Sequence, residues 1–596
     1  MCGIAGIALA GGKPVDRAAL EALADALAHR GPDGRGFHVR GAVGLAQTRL
    51  AIIDLAGGDQ PLYETGERGG VTLVANGEIY NDPEIRRAMP DTHYLTGSDC
   101  ESPLRLYLRH GLDFTRQLRG MYAIAIDDPE NNRVVLARDP FGIKPLYYAE
   151  TATGLCFASE PTALIKAGLV GTELNDAARL ELLQLQFSTG RATIFDGIHR
   201  VLPGEMLVVR DGVIAERRGS DPLPTPGTRG LSEADAVRLL DDYLEESIEL
   251  HQRADVDYGM FLSGGIDSSA ILAMMSRLNM RPVKAFTVGF AGDNVHDERD
   301  MAQRAAVSVG ADHESILFDE EDFWSSLPAV AGALDDPVCD YATLPTYKLA
   351  RAARDAGLKV ILSGEGGDEM FAGYGRYRRA ARWKFFGGRP MRSSGTMSGF
   401  DVFTDRENDN PENWRRGIAD SERRHAGAGR TRLQVCQAVD IDDWLPHDLL
   451  TKLDRCLMAH GVEGRVPFID PVIADFAFRL ADRLKVRGRT GKWLLRRWLE
   501  RNLPAAAPFQ RKMGFTVPVG DWISRRSDEL ADRLCALDSV SSLFDPAAVR
   551  RVFAAVAHGG DKRADYAAWT ILFYAVWHQV HVGGRDRRGD VLSVLQ

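Results

Sequence analysis

A chain of 596 residues, 45% hydrophobic and 26% charged, has ordinary globular composition and room for two to four domains. A net charge of −10 argues against a nucleic-acid binder. Seven cysteines, an odd number with no CxxC pair, argue against a disulfide framework or zinc site, and with no run of 18 apolar residues the reading is a cytoplasmic protein without a membrane partner.

The N-terminus, MCGIAGIALAGGKP, lacks the basic region and long apolar stretch of a signal peptide. A small penultimate residue favours removal of the initiator Met, which leaves Cys2 as the first residue. Its α-amine, with an unperturbed pKa of about 7.7–8.0, is then a base for its own thiol. A helix is expected over Arg17 to Leu27, stopped by the turn His29-Arg-Gly-Pro-Asp-Gly34. Arg49-Leu-Ala-Ile-Ile-Asp54 is short, apolar and strand-like. Val71 to Ala75 is a clear strand running into Asn76-Gly-Glu-Ile-Tyr-Asn81. Asn76 offers an amide donor, and Gly77 lets its backbone N–H approach a substrate closely. Two such donors suit an oxyanion hole, although Asn-Gly is also the commonest hairpin turn. Asp99 is an N-cap or a grip for a substrate amine. Strands at 122–127, 133–138 and 155–159 make this half β-rich.

MCGIAG, RGPDG, RLAIID, NGEIYN, GSDCE and RDPFGIKPLYY (138–148), in this order, resemble the N-terminal-nucleophile (class II) glutamine amidotransferases over roughly residues 1–210. The resemblance implies a four-layer αββα sandwich (Ntn hydrolase-like). It implies that Cys2 attacks the glutamine carboxamide and that Asn76 and the Gly77 amide stabilise the oxyanion. Arg49 would hold the substrate carboxylate, with Asp99 and the Gly77-Glu78 backbone holding its amino group. The products are glutamate and ammonia.

Residues 213–231 are Pro/Gly-rich towards their end and read as a linker between a 1–212 domain and a 232–596 domain. Ser232 opens a helix with Asp235 as capping partner, and Val237, Leu240, Leu244 and Ile248 share its apolar face. The stretch Phe261-Leu-Ser-Gly-Gly-Ile-Asp-Ser-Ser269 follows an apolar strand and precedes a helix. Free amides at such a turn, with the helix dipole, cradle a phosphate. It is not a Walker loop. Asp267 is repulsive to a phosphate unless a cation lies between them, so it suggests Mg2+. Strands at 283–288 and 359–363 alternate with helices at 297–309 and 342–356, which predicts a parallel sheet covered on both faces. Loops after Leu262, Val288 and Leu362 should then converge on one site. The third loop, Ser363-Gly-Glu-Gly-Gly-Asp-Glu369, supplies Asp368 as a second Mg2+ ligand and Glu365 as a base or acceptor contact. Residues 380–431 read as a flexible polar excursion, and 433–596 as mostly helical. Lys492 and Arg496 fall one helical turn apart.

FLSGGIDSS resembles the phosphate loop of the ATP-pyrophosphatases. With FTVGF, LSGEGGDEMFAGYGRY, LDR, GVEGRVPFID, KWLLR and RKMGF, the second half resembles the asparagine synthetase domain over roughly 235–535, and the whole chain the glutamine-hydrolysing members of that family. This implies that the backbones of Leu262 and Val288 receive adenosine. Ser263, Gly264, Gly265, Asp267 and Ser268 would hold phosphate and metal, Ser363, Gly364 and Glu365 would border nucleotide and acceptor, and Lys492 would approach the phosphates. The implied substrates are glutamine, ATP and a carboxylate, aspartate first, amidated through an acyl-adenylate with release of AMP and pyrophosphate. The implied assembly is a homodimer. Ammonia would pass between the sites along an apolar-lined interface. Another carboxylate acceptor, or a non-catalytic glutamine or nucleotide sensor, are the alternatives.

Overall fold

The computed structural model describes residues 2–65, 70–225, 227, 230–290, 298–382, 388–510 and 517–596. Two six-stranded antiparallel sheets form the first half. One is ordered 199–200, 147–151, 154–158, 3–9, 43–49, 34–40, and the other 213–219, 205–210, 133–138, 120–128, 72–79, 62–63. The period-two rule decides their packing. Along Gly120–Asp128, Ala123 and Ala125 face Ile4, Ala8, Leu45 and Phe157 of the other sheet. Tyr122, Ile124 and Ile126 face outward onto Leu104, Tyr107 and Phe114. On the far side, Ala5 and Ile7 pack with Leu20 and Leu23 of the helix Arg17–Ala26. Helices therefore cover both outer faces of a sheet sandwich.

The second half is built on a five-stranded parallel sheet ordered Asp312–Phe318, Lys284–Phe290, Tyr258–Phe261, Val360–Leu362, Glu463–Arg465. The strand at 312–318 carries mostly exposed side chains, which is why no apolar run marks it in the sequence. Helices at Ile266–Leu278, Arg299–Ser308 and Thr343–Asp355 link or flank the strands. Ser232 caps the helix Glu233–His251 by accepting from the Asp235 N–H, as its sequence predicts.

Four readings of local structure need correction. The strand lies at Val43–Arg49, and Leu50 to Asp54 is irregular. That run is apolar because Leu50 and Ile52 enter a core shared with the second half, while the Asp54 N–H donates to Asp255 Oδ2 at 2.8 Å. Residues 213–219 are an edge strand paired with Glu205–Arg210, not linker; nearly all their side chains are exposed, so no alternation marks them. The segment 380–431 is polar in composition yet anchored. Met391, Met397, Trp414 and Ile418 are buried, and Gln184 of the first half donates to Asn408 O and accepts from the Met397 N–H. Lys492 precedes the helix Trp493–Asn502 as its N-cap with φ 53°, so it does not share a helical face with Arg496.

The halves meet over buried charge as well as apolar core. Arg30, fully buried, pairs through Nη1 with Glu160 Oε1 at 2.8 Å and through both terminal nitrogens with Asp454 at 2.7 and 3.0 Å. Arg455 binds Asp335 at 2.8 Å and Asp454 at 3.0 Å. Arg200 grips Asp336 at 2.6 and 2.7 Å, and the Tyr147 hydroxyl donates to the same carboxylate at 2.9 Å. Removing one partner of such a set leaves an uncompensated buried charge, at a cost of about 3–5 kcal/mol. Arg30→Met is accordingly expected to lower the stability of the full chain by that amount in chemical denaturation. An unchanged midpoint would show that the seam does not hold the halves together.

Candidate functional site

Two clusters emerge. In the first, the sandwich brings the start of one sheet against the middle of the other. The Cys2 N–H donates to Asn76 Oδ1 at 3.1 Å, and Arg30 Nε donates to Cys2 O at 3.3 Å. The Asn76 Nδ2 group is buried and has no hydrogen-bond partner among the described residues. A buried amide without a partner is costly, so it marks a place where an acceptor oxygen is expected. Asn76 and Gly77 lie within the strand Thr72–Ile79, not in a hairpin turn. A Cβ on Gly77 would come within 2.0 Å of Met121 O, so only glycine fits this pairing. Burial pushes the Cys2 thiol up, opposed by the chain's amino terminus and the Leu50 backbone amide.

Asp99 accepts from the Ile79 N–H at 2.6 Å, and burial pushes its carboxyl up to about 6. Glu78 is raised well above the ordinary range by burial and by Asp99 beside it. Arg49 stands at the end of its strand, donating to Asp59 Oδ1 at 2.7 Å and to Asp54 O at 2.6 Å. The structure thus brings Cys2, Asn76, Gly77, Glu78 and Asp99 together, while the Arg49 side chain turns to the 53–59 segment.

The second cluster lies outside the carboxyl ends of the parallel strands, where such sheets place their ligands. A cavity of about 400 Å³ is lined by Leu262, Ser263, Gly265, Asp267 and Ser268 from the first loop, by Val288 within the strand Lys284–Phe290, and by Ser363, Gly364, Glu365 and Asp368 from the acidic loop; the loop expected after Val288 falls on 291–297, outside the described residues. The first loop is pre-shaped: the Ser263 N–H donates to Ser268 Oγ at 3.1 Å and the Gly265 N–H to Ser263 Oγ at 3.1 Å. Gly265 is the N-cap of Ile266–Leu278 and has no side chain to cap it, so the first-turn amides keep no side-chain acceptor of their own. A Cβ on Gly367 would lie 2.4 Å from Asp267 Cγ, which is how close the two loops run. Glu365 Oε2 is buried without a hydrogen-bond partner among the described residues. Gly264 does not line the cavity, and neither does Lys492. The Lys492 ammonium instead sits between the two carboxylates, on Asp267 Oδ2 and on Asp368 Oδ1 at 2.7 Å. Burial works against that ammonium, but the two carboxylates outweigh it and hold its pKa above the ordinary lysine value. Arg511 to Phe515 lie outside the described residues.

Two residues with a part in these clusters are not singled out by the sequence. Lys452 lines the cavity and pairs with Asp340 at 2.8 Å. Arg465 touches Glu78 Oε1 at 3.3 Å, donates to the carbonyls of His251 and Arg253, and accepts the Ser363 N–H on its own carbonyl at 2.8 Å. One residue therefore contacts both clusters. The only sequence signal was their place inside or beside the stretches LDR and GVEGRVPFID, which carry no chemistry by spacing alone.

A family model described as asparagine synthase matches residues 239–579, and one described as a glutamine amidotransferase domain matches residues 1–218. The chain belongs to the asparagine synthase family. Among its curated relatives, asparagine synthetase [glutamine-hydrolyzing] 1 of Bacillus subtilis is 31% identical over 94% of this chain and 93% of its own length. An asparagine synthetase [glutamine-hydrolyzing] of Asparagus officinalis is 29% identical over 88% and 78%, and asparagine synthetase B [glutamine-hydrolyzing] of Escherichia coli 28% over 86% and 81%. Family membership thus joins the two clusters in one protein, the first within the amidotransferase match and the second within the synthase match.

A carboxylate raised to about 6 binds an ammonium group only once it ionises. The kcat/KM for glutamine hydrolysis reports the free enzyme. It is expected to fall about tenfold per unit as pH drops below about 6, and Asp99→Asn should flatten that limb. A limb that persists unchanged in Asp99→Asn assigns the titration elsewhere.

Proposed function

We propose that this chain catalyses glutamine- and ATP-dependent amidation of a carboxylate, with aspartate as acceptor and asparagine as product. The observation that carries the reading is the buried, unpartnered Asn76 amide beside Cys2, in a molecule whose other half presents two carboxylate-bearing loops around a nucleotide-sized cavity. At the first site the Cys2 α-amine, free once the initiator Met is removed, takes the thiol proton as the sulfur attacks the glutamine carboxamide carbon. Asn76 Nδ2 and the Gly77 N–H receive the oxyanion, the α-ammonium returns the proton to the amide nitrogen, the C–N bond breaks, and ammonia leaves. Water then hydrolyses the thioester to glutamate. Arg49 takes the substrate carboxylate, and Asp99 with the Gly77-Glu78 backbone takes its ammonium.

At the second site the backbones of Leu262 and Val288 hold adenosine, and Ser263, Gly264, Gly265 and Ser268 the phosphates. An acceptor carboxylate oxygen attacks the α-phosphorus and pyrophosphate departs. Ammonia attacks the acyl carbon of the resulting adenylate, and AMP leaves with the bond electrons. Glu365, bordering the cavity with Ser363 and Gly364, is placed to accept the proton released by the attacking ammonia. Lys492 lies against the pyrophosphate-facing carboxylates.

The residues also fit Mg2+. Asp267 and Asp368 offer hard oxygen donors that already converge on one cation, the Lys492 ammonium, which stands where a metal charge would lie. When bound there, Mg2+ supplies charge neutralisation for the departing pyrophosphate. Asp267 and Asp368 would hold that charge, and in its absence the Lys492 ammonium answers theirs.

The seam beside Cys2 holds the buried charges Arg30, Asp454, Glu160 and Arg455, paired with one another, next to an apolar core that both halves share. Ammonia would cross this seam between the two sites.

Asn76→Ala removes one oxyanion donor and is expected to lower kcat for glutamine hydrolysis by about 10²–10³-fold, while ammonia-dependent synthesis persists. Cys2→Ala should abolish glutamine-dependent synthesis and leave the ammonium-dependent reaction intact. Pyrophosphate release against a panel of carboxylates, with mass analysis of the amide, tests the acceptor. Turnover with a sugar acid or other carboxylate, and none with aspartate, would overturn aspartate but not the reaction type.

A further inference from the structure

Beside the synthetase cavity lies a second one, of about 590 Å³, whose wall combines both halves of the molecule. Gln184 to Gln186 come from the end of the helix Asp176–Leu185, and the rest from 376–396. Five arginines line it, Arg376, Arg379, Arg382, Arg389 and Arg392, and no acidic residue does so among the described residues. Among the described residues the carboxylate that pairs with them is the buried Asp440, with Arg376 at 2.7 Å and Arg392 at 3.5 Å, and the buried Asp448 also faces these two. Arg379, Arg382 and Arg389 are exposed and leave an excess of positive charge around one hollow, on a chain whose net charge is −10. Such a local excess on an acidic chain attracts anions.

Arg392 is held more firmly than a solvated surface arginine. Its guanidinium lies 4.0 Å from the Trp444 ring centroid and 4.9 Å from that of Phe187, and its backbone is left-handed at φ 48°. Its Nε is buried with no hydrogen-bond partner among the described residues. A non-glycine residue kept in that conformation is strained and persists where the surrounding structure demands it. Arg376 stacks 3.8 Å from the Tyr374 ring centroid, and Tyr374 lines the synthetase cavity, so the two hollows share a wall. A further cavity of about 750 Å³ shares Arg379 and Arg382 and extends the basic surface outward.

We propose that the arginine-lined cavity is a binding site for a phosphate-bearing small molecule, distinct from the ATP site and bridging the two halves. Arginine forks match phosphate oxygens bidentately, and a group carrying two charges answers a cluster left with excess positive charge. The volume falls within the range of small-molecule sites, which favour domain interfaces. Gln184, Ser393, Ser394 and Thr396 add polar groups suited to a hydroxylated ligand.

Equilibrium dialysis of the full chain with inorganic pyrophosphate tests this by stoichiometry. Two equivalents per chain are expected. Arg379→Ala with Arg389→Ala, both exposed positions, should raise the Kd of one equivalent at least tenfold and leave glutamine hydrolysis unchanged. Lys492→Ala should weaken the other. Competition by GTP for the arginine-dependent equivalent would identify phosphorylated organic molecules as the ligand source, and its failure inorganic polyphosphate; either supports an anion site. A single equivalent, or two that ignore the arginine substitutions, would overturn it. Arg379→Lys with Arg389→Lys should restore part of the affinity if the charge is what binds.

Discussion

Arg30 carries a charge into the buried seam, and the carboxylates around it are arranged to answer that charge. Burial pushes its pKa down, yet Asp454 and Glu160 outweigh burial and keep the guanidinium ionised. The same arginine donates to the carbonyl of Cys2. Cys2 of one half is therefore tied, through one side chain, to a helix of the other. Buried ion pairs add little net stability over apolar packing, but they tolerate only one geometry, because a partial separation strands charge in a low-dielectric interior. We take that intolerance as the reason the halves keep a fixed relation.

A similar constraint operates at Arg465. Its guanidinium reaches Glu78 beside Asn76 and Gly77, while its backbone carbonyl holds Ser363 at the head of the acidic loop. Strand Glu463–Arg465 lies at the edge of the parallel sheet, next to Val360–Leu362. A displacement on either side is felt by the other through one residue of strand.

Much of the site was legible in the sequence because glycines at strand ends announce it. Strand, Gly-Gly and helix start put Ser263, Asp267 and Ser268 on the loop that lines the cavity, and in 363–369 Gly364 and Gly367 marked where that loop and the acidic loop run close, while Gly366 meets Ile469. What was not legible has physical causes. Leu50 and Ile52 look like a strand because burial between domains demands the same residues as burial in a sheet. The strand at 213–219 is invisible because an exposed edge needs no apolar face. Lys492 was read onto a helix face, yet φ 53° turns it back toward Asp267 and Asp368. Arg465, Lys452 and Arg30 act through tertiary partners hundreds of residues away in some cases, and no local pattern encodes such a pairing.

The central claim is that ammonia freed at Cys2 is consumed at the Ser263 loop without entering solvent. Its most direct test is synthesis with glutamine labelled with ¹⁵N at the amide, run in excess unlabelled ammonium. The account predicts that the amide formed on the acceptor carries ¹⁵N at close to the enrichment of the glutamine. An amide whose label matches the diluted ammonium pool would contradict it.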